Sequence, residues 1–280
     1  MNNLLVLQSD FGLADGAVAA MLGVAYDVNM NLKIHSLSHD ITPYNIWEAS
    51  YRLFQTAEFW PENTVFVSVV DPGVGSNRKS VVARTVKNQY IVTPDNGTLT
   101  HIKKYVGILE VREIEEAVHR RKNTEHSHTF HGRDVYAYTG AKLAAGEISF
   151  EEVGKELAVD RIVEVEIGDV VETENSIQGC IDILDVRFGS LWTNITRDAF
   201  LKLGFKYGDK VEVLIMKRST VIYNNRMVFG KSFDDVRIGE QLIYMNSLDR
   251  VAVAINQGNF AKAYSIGTGI SWTIEFKKVE

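Results

Sequence analysis

Residues 4–7 form a short apolar run that stops at Ser9-Asp10. Small and apolar residues at close spacing over 14–27 predict a helix, and 32–37 alternates as a strand does. A second helix is predicted over 47–58, where Ala49, Leu53 and Ala57 recur every fourth position. From Thr64 to Val70 the chain is continuously β-branched and aromatic, apart from Asn63 before it and Ser68 within it. That is the pattern of a strand covered on both faces. Further strands are predicted over 80–86 and 89–93, and a helix over 134–145. Strands alternating with helices imply an α/β domain with a mostly parallel sheet.

The pattern changes near residues 150–175, where Glu, Val and Asp dominate. Beyond it, strand-like runs cover 181–186, 210–216, 220–223, 241–245, 251–255 and 272–276. Turns such as Phe188-Gly189-Ser190, Tyr207-Gly208-Asp209 and Gln257-Gly258-Asn259 separate them. Short strands and frequent turns predict a small antiparallel barrel or sandwich. The expected organisation is an α/β domain over 1–165 and a β-barrel domain over 172–280.

Thirty basic and 36 acidic residues give a net charge of −6 over 280 residues. That balance speaks against a general nucleic-acid or anionic-membrane partner. The single cysteine, Cys180, excludes an internal disulfide framework. The apolar stretch 17–26 falls short of the roughly 20 residues a membrane span needs. No targeting segment is visible at the N-terminus, so a cytoplasmic protein is expected.

Three apolar runs end in an aspartate followed by loop residues: Asp10 with Phe11-Gly12, Asp71 with Pro72-Gly73, and Asp95 with Asn96-Gly97. Ligands of open parallel sheets bind beyond the carboxyl ends of the strands, so the three acids can converge on one cleft. Each alternatively only starts a turn or caps a helix. Gly73-Val74-Gly75 lacks the Gly-Lys-Ser/Thr ending of a phosphate loop and the third glycine of a dinucleotide fingerprint. Residues 125–134 hold His126, His128 and His131 ahead of Gly132-Arg133-Asp134. They read either as a solvated loop with Asp134 as an N-cap or as a polar site, with no matching ligand set for a metal. Residues 185–195 place Phe188 and Trp192 beside a Gly turn with amide and hydroxyl groups. They suit a planar heterocycle, but taken alone read more readily as a hydrophobic strand pair.

The ordered set Ser9-Asp10-Phe11-Gly12, Ile41-Thr42-Pro43-Tyr44, Val70-Asp71-Pro72-Gly73-Val74-Gly75, Pro94-Asp95-Asn96-Gly97, Thr129-Phe130-His131-Gly132-Arg133-Asp134, Phe188-Gly189, Thr193-Asn194-Ile195 and Asn246-Ser247 spans nearly the whole chain. It resembles the S-adenosylmethionine hydroxide adenosyltransferases, relatives of the nucleophilic fluorinase and chlorinase. The resemblance implies attack of water or hydroxide on the ribose C5′ of S-adenosylmethionine, giving adenosine and L-methionine, with no metal or other cofactor. It implies Asp71, Arg78 and His131 as the activating trio and Asp10 on the ribose hydroxyls. Asp15, Asp185 and Ser247 would hold the methionine part. Tyr44, Phe130, Phe188, Trp192 and Phe233 would wall the nucleoside. It also implies a homotrimer in which the barrel of one subunit completes the nucleoside site of another.

The chain departs from relatives at three positions. Ser190 stands where they usually carry Asn, Leu248 where the fluorinase has Arg, and Ala17 where it has a hydroxyl residue. All three trio types are present, which favours water over halide. The alternatives are a halogenase, a metal-dependent phosphoesterase using Asp10, Asp71, Asp95 and His131, and a protein that binds adenosine or S-adenosylmethionine with negligible turnover.

Overall fold

The computed structural model describes residues 2–279 and divides the chain into two compact units, 1–165 and 166–280. The first contains β1 (Leu4–Ser9), α1 (Ala17–Val28), β2 (Lys33–Ser38), α2 (Ile46–Ala57), β3 (Val65–Val69), β4 (Ser80–Thr85), β5 (Tyr90–Pro94), α3 (Thr100–Tyr105), β6 (Ile108–Glu113), α4 (Glu116–His119), a π-helical turn (Gly132–Ala137), α5 (Tyr138–Ala145) and β7 (Glu156–Leu157). The sheet order is β2-β1-β3-β5-β4-β6-β7. The pairs β1–β2, β1–β3 and β3–β5 are parallel; β4–β5, β4–β6 and β6–β7 are antiparallel. Five of the seven strands therefore run one way, as the alternating pattern predicts.

Every residue of β3 is buried, because its alternate side chains feed two separate cores. Val65, Val67 and Val69 join Leu5, Leu7 and Met21 on the face carrying α1 and α5. Phe66 joins Val6, Leu53 and Ile102 on the face carrying α2 and α3. The period of two thus explains an unbroken hydrophobic run: both faces of the strand are interior.

The second unit contains β8 (Val171–Glu172), β9 (Ser176–Leu184), β10 (Leu191–Thr196), α6 (Arg197–Lys202), β11 (Lys210–Lys217), β12 (Thr220–Phe229), β13 (Gln241–Met245), β14 (Arg250–Ile255), α7 (Phe260–Tyr264) and β15 (Gly269–Lys278). Pairing runs β10-β14-β13-β12-β11-β15-β9, and β9 returns to β10. Seven strands therefore close a barrel, which removes free sheet edges. The barrel is antiparallel except at β12–β13, which pair in parallel. Val211, Val213 and Ile215 alternate inward along β11, opposite Ile274 and Phe276 of β15. Phe200 of α6 fills the barrel and stacks on Phe205 at 4.3 Å.

Several boundaries differ from the sequence pattern. The strand at 220–223 continues to Phe229, since Asn224, Asn225 and Arg226 are exposed positions rather than a turn. The strand expected from 181 begins at Ser176, and the expected helix at 134 is preceded by a π-helical turn from Gly132. Asp134 is not an N-cap: it is buried inside that turn and accepts two hydrogen bonds from Arg133. The turn starts before the expected cap, so a charged pair stands where a cap was expected.

Candidate active site

Strands β1 and β3 are parallel neighbours, with Ser9 opposite Val69. Their loops therefore leave the sheet on the same side, and Asp10 and Asp71 both line a cleft of about 390 Å³. Tyr44, Phe130, His131 and Val74 line it too. The Asp10 carboxylate accepts the backbone N–H of Tyr44 at 2.8 Å. Tyr44 sits at φ +67°, an unusual conformation for an aromatic residue, and its side chain is 73% exposed. Strain of this kind concentrates at functional loops. Ser9 supports the same loop: its hydroxyl pairs with His39 Nδ1 at 2.8 Å, and the Gly12 N–H donates to the His39 carbonyl at 2.7 Å.

The loop after β3 folds back on itself. Gly75 adopts φ +78°, and a Cβ there would meet the His128 carbonyl oxygen at 2.8 Å, so glycine is required. This return brings Arg78 over Asp71. The Arg78 Nε–H donates to both Asp71 oxygens at 2.9 Å, and a second guanidinium nitrogen donates to Oδ2. The pair is buried, with side chains 9% and 5% exposed. Burial alone would lower the Arg78 pKa, but Asp71, with Tyr136 and Glu116, outweighs it and holds Arg78 above its usual value. A charge-assisted fork of this kind fixes a carboxylate's orientation.

His131 ends the 125–131 segment and is 5% exposed, whereas His126 and His128 are exposed. Its Nδ1 lies 3.0 Å from an Arg78 nitrogen and its Nε2 lies 3.0 Å from an Arg120 nitrogen. Burial pushes its pKa below the usual value; Arg120 and Arg78 push the same way, against Glu116 and Asp71. The imidazole is therefore neutral over a wider range than an exposed one. Glu116 and Arg120 were not singled out in the sequence. Glu-x-x-x-Arg on a short helix is the ordinary spacing of a surface ion pair, so nothing local distinguishes it.

Asp95, the third strand-end acid, does not line the cleft. Its Oδ1 accepts the Val163 N–H at 2.8 Å, and burial raises its pKa. The next residue, Asn96, donates to the Val70 carbonyl at 2.8 Å and so secures the end of β3. Asp15 also lies outside the lining; it is exposed and accepts the Ala17 N–H at the start of α1.

A second cleft, of about 1040 Å³, opens on the barrel. It gathers Asp185, Phe188, Ser190, Trp192, Phe233 and Ser247. Asp185 accepts the backbone N–H groups of Arg187 and Phe188, forming the turn. Gly189 at φ +68° completes that turn, packed so closely on Asn259 that a side chain would not fit. Phe188 is thereby held 69% exposed within a concavity. Trp192 Nε1–H donates to the Tyr244 hydroxyl at 3.1 Å, and Phe233 packs on the Tyr244 ring at 5.0 Å. Burial raises the Tyr244 pKa, partly offset by hydrogen bonds to Ser190 and Trp192. Tyr244 is a wall residue that the sequence pattern hid, because it alternates within a plain apolar strand.

Among the described residues no group of three or more His, Cys, Asp or Glu stands together as a metal site requires. No helix of the described residues is long and apolar enough to cross a membrane.

The family model of the SAM hydroxide adenosyltransferase N-terminal domain matches residues 5–154, and that of the C-terminal domain matches 179–273. The (R)-S-adenosyl-L-methionine hydrolase of Methanocaldococcus jannaschii is 34% identical over 82% of this chain and 80% of its own. A fluorinase of Nocardia brasiliensis is 28% identical over 96% and 95%. The crystal structure of an uncharacterized conserved protein from Thermotoga maritima superposes with TM-score 0.89 at 34% identity, covering 98% of this chain and all of the other. With both family domains matched in order, the chain belongs to the SAM hydroxide adenosyltransferase family.

Proposed function

We propose that the protein hydrolyses S-adenosyl-L-methionine to adenosine and L-methionine by attack of water on the ribose C5′. Its support is the convergence of Asp71 and His131 on one cleft, with Arg78 locking the carboxylate, in a chain 34% identical to an (R)-S-adenosyl-L-methionine hydrolase. The leaving group is a sulfonium, which departs as the neutral thioether of methionine. No acid is needed to release it, and no metal is needed to stabilise it. What remains is to hold water in line with the C–S bond and away from competing solvent.

Asp71 is suited to that task. Arg78 occupies one edge of its carboxylate and leaves lone pairs for a water in the cleft. As the C–O bond forms and the C–S bond breaks, the water oxygen becomes an oxonium and turns strongly acidic. The Asp71 carboxylate then takes its proton and returns it to solvent. His131 acts through Arg78, whose guanidinium fixes the Asp71 carboxylate. Asp10 is assigned the ribose hydroxyls, and Tyr44 and Phe130 the nucleoside wall.

The barrel cleft supplies the remaining recognition in this reading. Phe188, Trp192 and Phe233 pack on the adenosyl part, Ser190 lies at its polar edge, and Asp185 and Ser247 take the methionine part. Asp15 belongs with the methionine group through the family resemblance alone. The site would be completed by the barrel of a neighbouring subunit in a homotrimer, and the reaction would run in the cytoplasm.

The test is mass spectrometry of products from S-adenosylmethionine incubated with chelated protein in oxygen-18 water containing chloride. Adenosine carrying one label, with equimolar methionine, is expected. Chlorodeoxyadenosine would assign a halogenase, and retention of nucleoside without methionine would assign a binding protein.

A further inference from the structure

The trio is one side of a larger closed circuit. Glu116, the first residue of α4, accepts from the Ser80 hydroxyl at 2.7 Å and from Arg120 at 2.9 Å. Ser80 in turn accepts from Arg78 at 3.2 Å. Arg120 reaches from Glu116 to His131 Nε2, and Arg78 reaches from Asp71 to His131 Nδ1. The other Arg120 terminal nitrogen donates to the Ser127 carbonyl at 3.0 Å, tying the histidine segment to the same guanidinium. Two carboxylates and two guanidinium groups thus surround one imidazole, and their charges cancel when it is neutral.

The proton inventory constrains that ring. A neutral imidazole has one N–H and one lone pair, and a guanidinium has donors only. With a guanidinium nitrogen at each ring nitrogen, the single lone pair is already engaged. The neutral ring accepts from one guanidinium through that lone pair and turns its N–H toward the other, and a second proton would set N–H against N–H on both sides. His131 in this setting orients a neighbour but has no free lone pair with which to take a proton from water.

We propose that Glu116 and Arg120 are positioning residues for the hydrolysis, clamping His131 in its neutral form from the side opposite Arg78. This rests on the trio assigned above. Glu116 anchors both ends of the clamp: Arg120 directly, and Arg78 through Ser80.

The experiment pairs kinetics with nitrogen-15 NMR titration of the His131 ring in the full chain, the parent and three variants, Arg120→Gln, Glu116→Gln and Arg120→Lys. The charged groups facing His131 are Asp71, Arg78, Glu116 and Arg120; its chain neighbours Arg133 and Asp134 pair with each other. In the parent the ring should protonate below its ordinary range. Arg120→Gln should move that titration upward and Glu116→Gln downward. Both should lower kcat about 100-fold, the scale of a misplaced reacting group, with KM within about threefold. Arg120→Lys should restore the titration more than the rate, since lysine keeps the charge but not the fork. A parent ring that titrates at or above its ordinary value would overturn the clamp, whether or not the variants fold. So would unchanged kcat in folded variants, or titrations that shift together. A parent that releases no methionine defeats the hydrolase reading instead, and leaves the titration result standing.

Discussion

At the strand ends of the α/β unit, two carboxylates and two guanidinium groups form a hydrogen-bonded ring around the His131 imidazole. In the barrel cleft, Phe188 and Phe233 stand partly exposed beside the Trp192–Tyr244 pair. The first arrangement spends buried charge on orientation, and is stable only because each charge is paired. The second presents apolar faces with a few polar rims, which is how a concave site takes a planar ligand. On the proposed reading, the α/β unit carries the reaction and the barrel carries recognition. Substitutions in the two clefts should therefore leave opposite kinetic signatures.

The largest effect is expected at Asp71. Asp71→Asn keeps the volume but removes the base and frees Arg78. We expect kcat to fall about 10²- to 10⁴-fold with KM nearly unchanged, measured by methionine release. A loss confined to KM would dissolve the division of labour. Next is Phe233→Ala in the barrel. Loss of one aromatic face costs about 1–3 kcal/mol, so KM should rise roughly 5- to 150-fold while kcat stays within a few-fold. Isothermal titration with adenosine gives the same comparison without turnover.

The pH profile sharpens the contrast further. Protonating His131 removes the one lone pair that accepts from a guanidinium, and its pKa is lowered by burial and by the Arg120 and Arg78 cations. The acid limb of kcat should thus lie below the usual histidine range, and in Phe233→Ala it should not move. Activity after exhaustive chelation should be unchanged, since the sulfonium leaves without Lewis-acid help.

The smallest effect is expected at Asp95, which shares the strand-end position of Asp71 but not its cleft. Burial raises its folded pKa above the unfolded value. The folded state therefore binds the proton more tightly, and stability falls as pH rises from the unfolded pKa through the raised one. Asp95→Asn keeps an oxygen for the Val163 N–H and should flatten that slope. Stability at neutral pH should change by about 1 kcal/mol and kcat hardly at all, read from urea melts and initial rates.

Asp95 and Asp71 also show where reading a sequence stops. Their surroundings are alike, a buried strand followed by Asp and Gly. The difference lies in the 162–165 segment, which covers Asp95 from 68 residues away. Likewise, Glu116 and Arg120 carry no local signal, because a helix pair spaced by four looks the same on any surface. Tyr244 was hidden by the alternation that its strand shares with the rest of the barrel. In contrast, the α/β alternation, the all-buried β3, the switch to short strands and the ordered loop motifs were legible. Each is set by neighbours in the chain: side-chain period, β-branched content, and turns that require Gly or Asp. Tertiary structure alone decided which two of the three strand-end acids face the cleft and which histidine of the 125–131 segment is buried. It also decided what surrounds that histidine, because those outcomes depend on groups far apart in the chain meeting at distances near 3 Å.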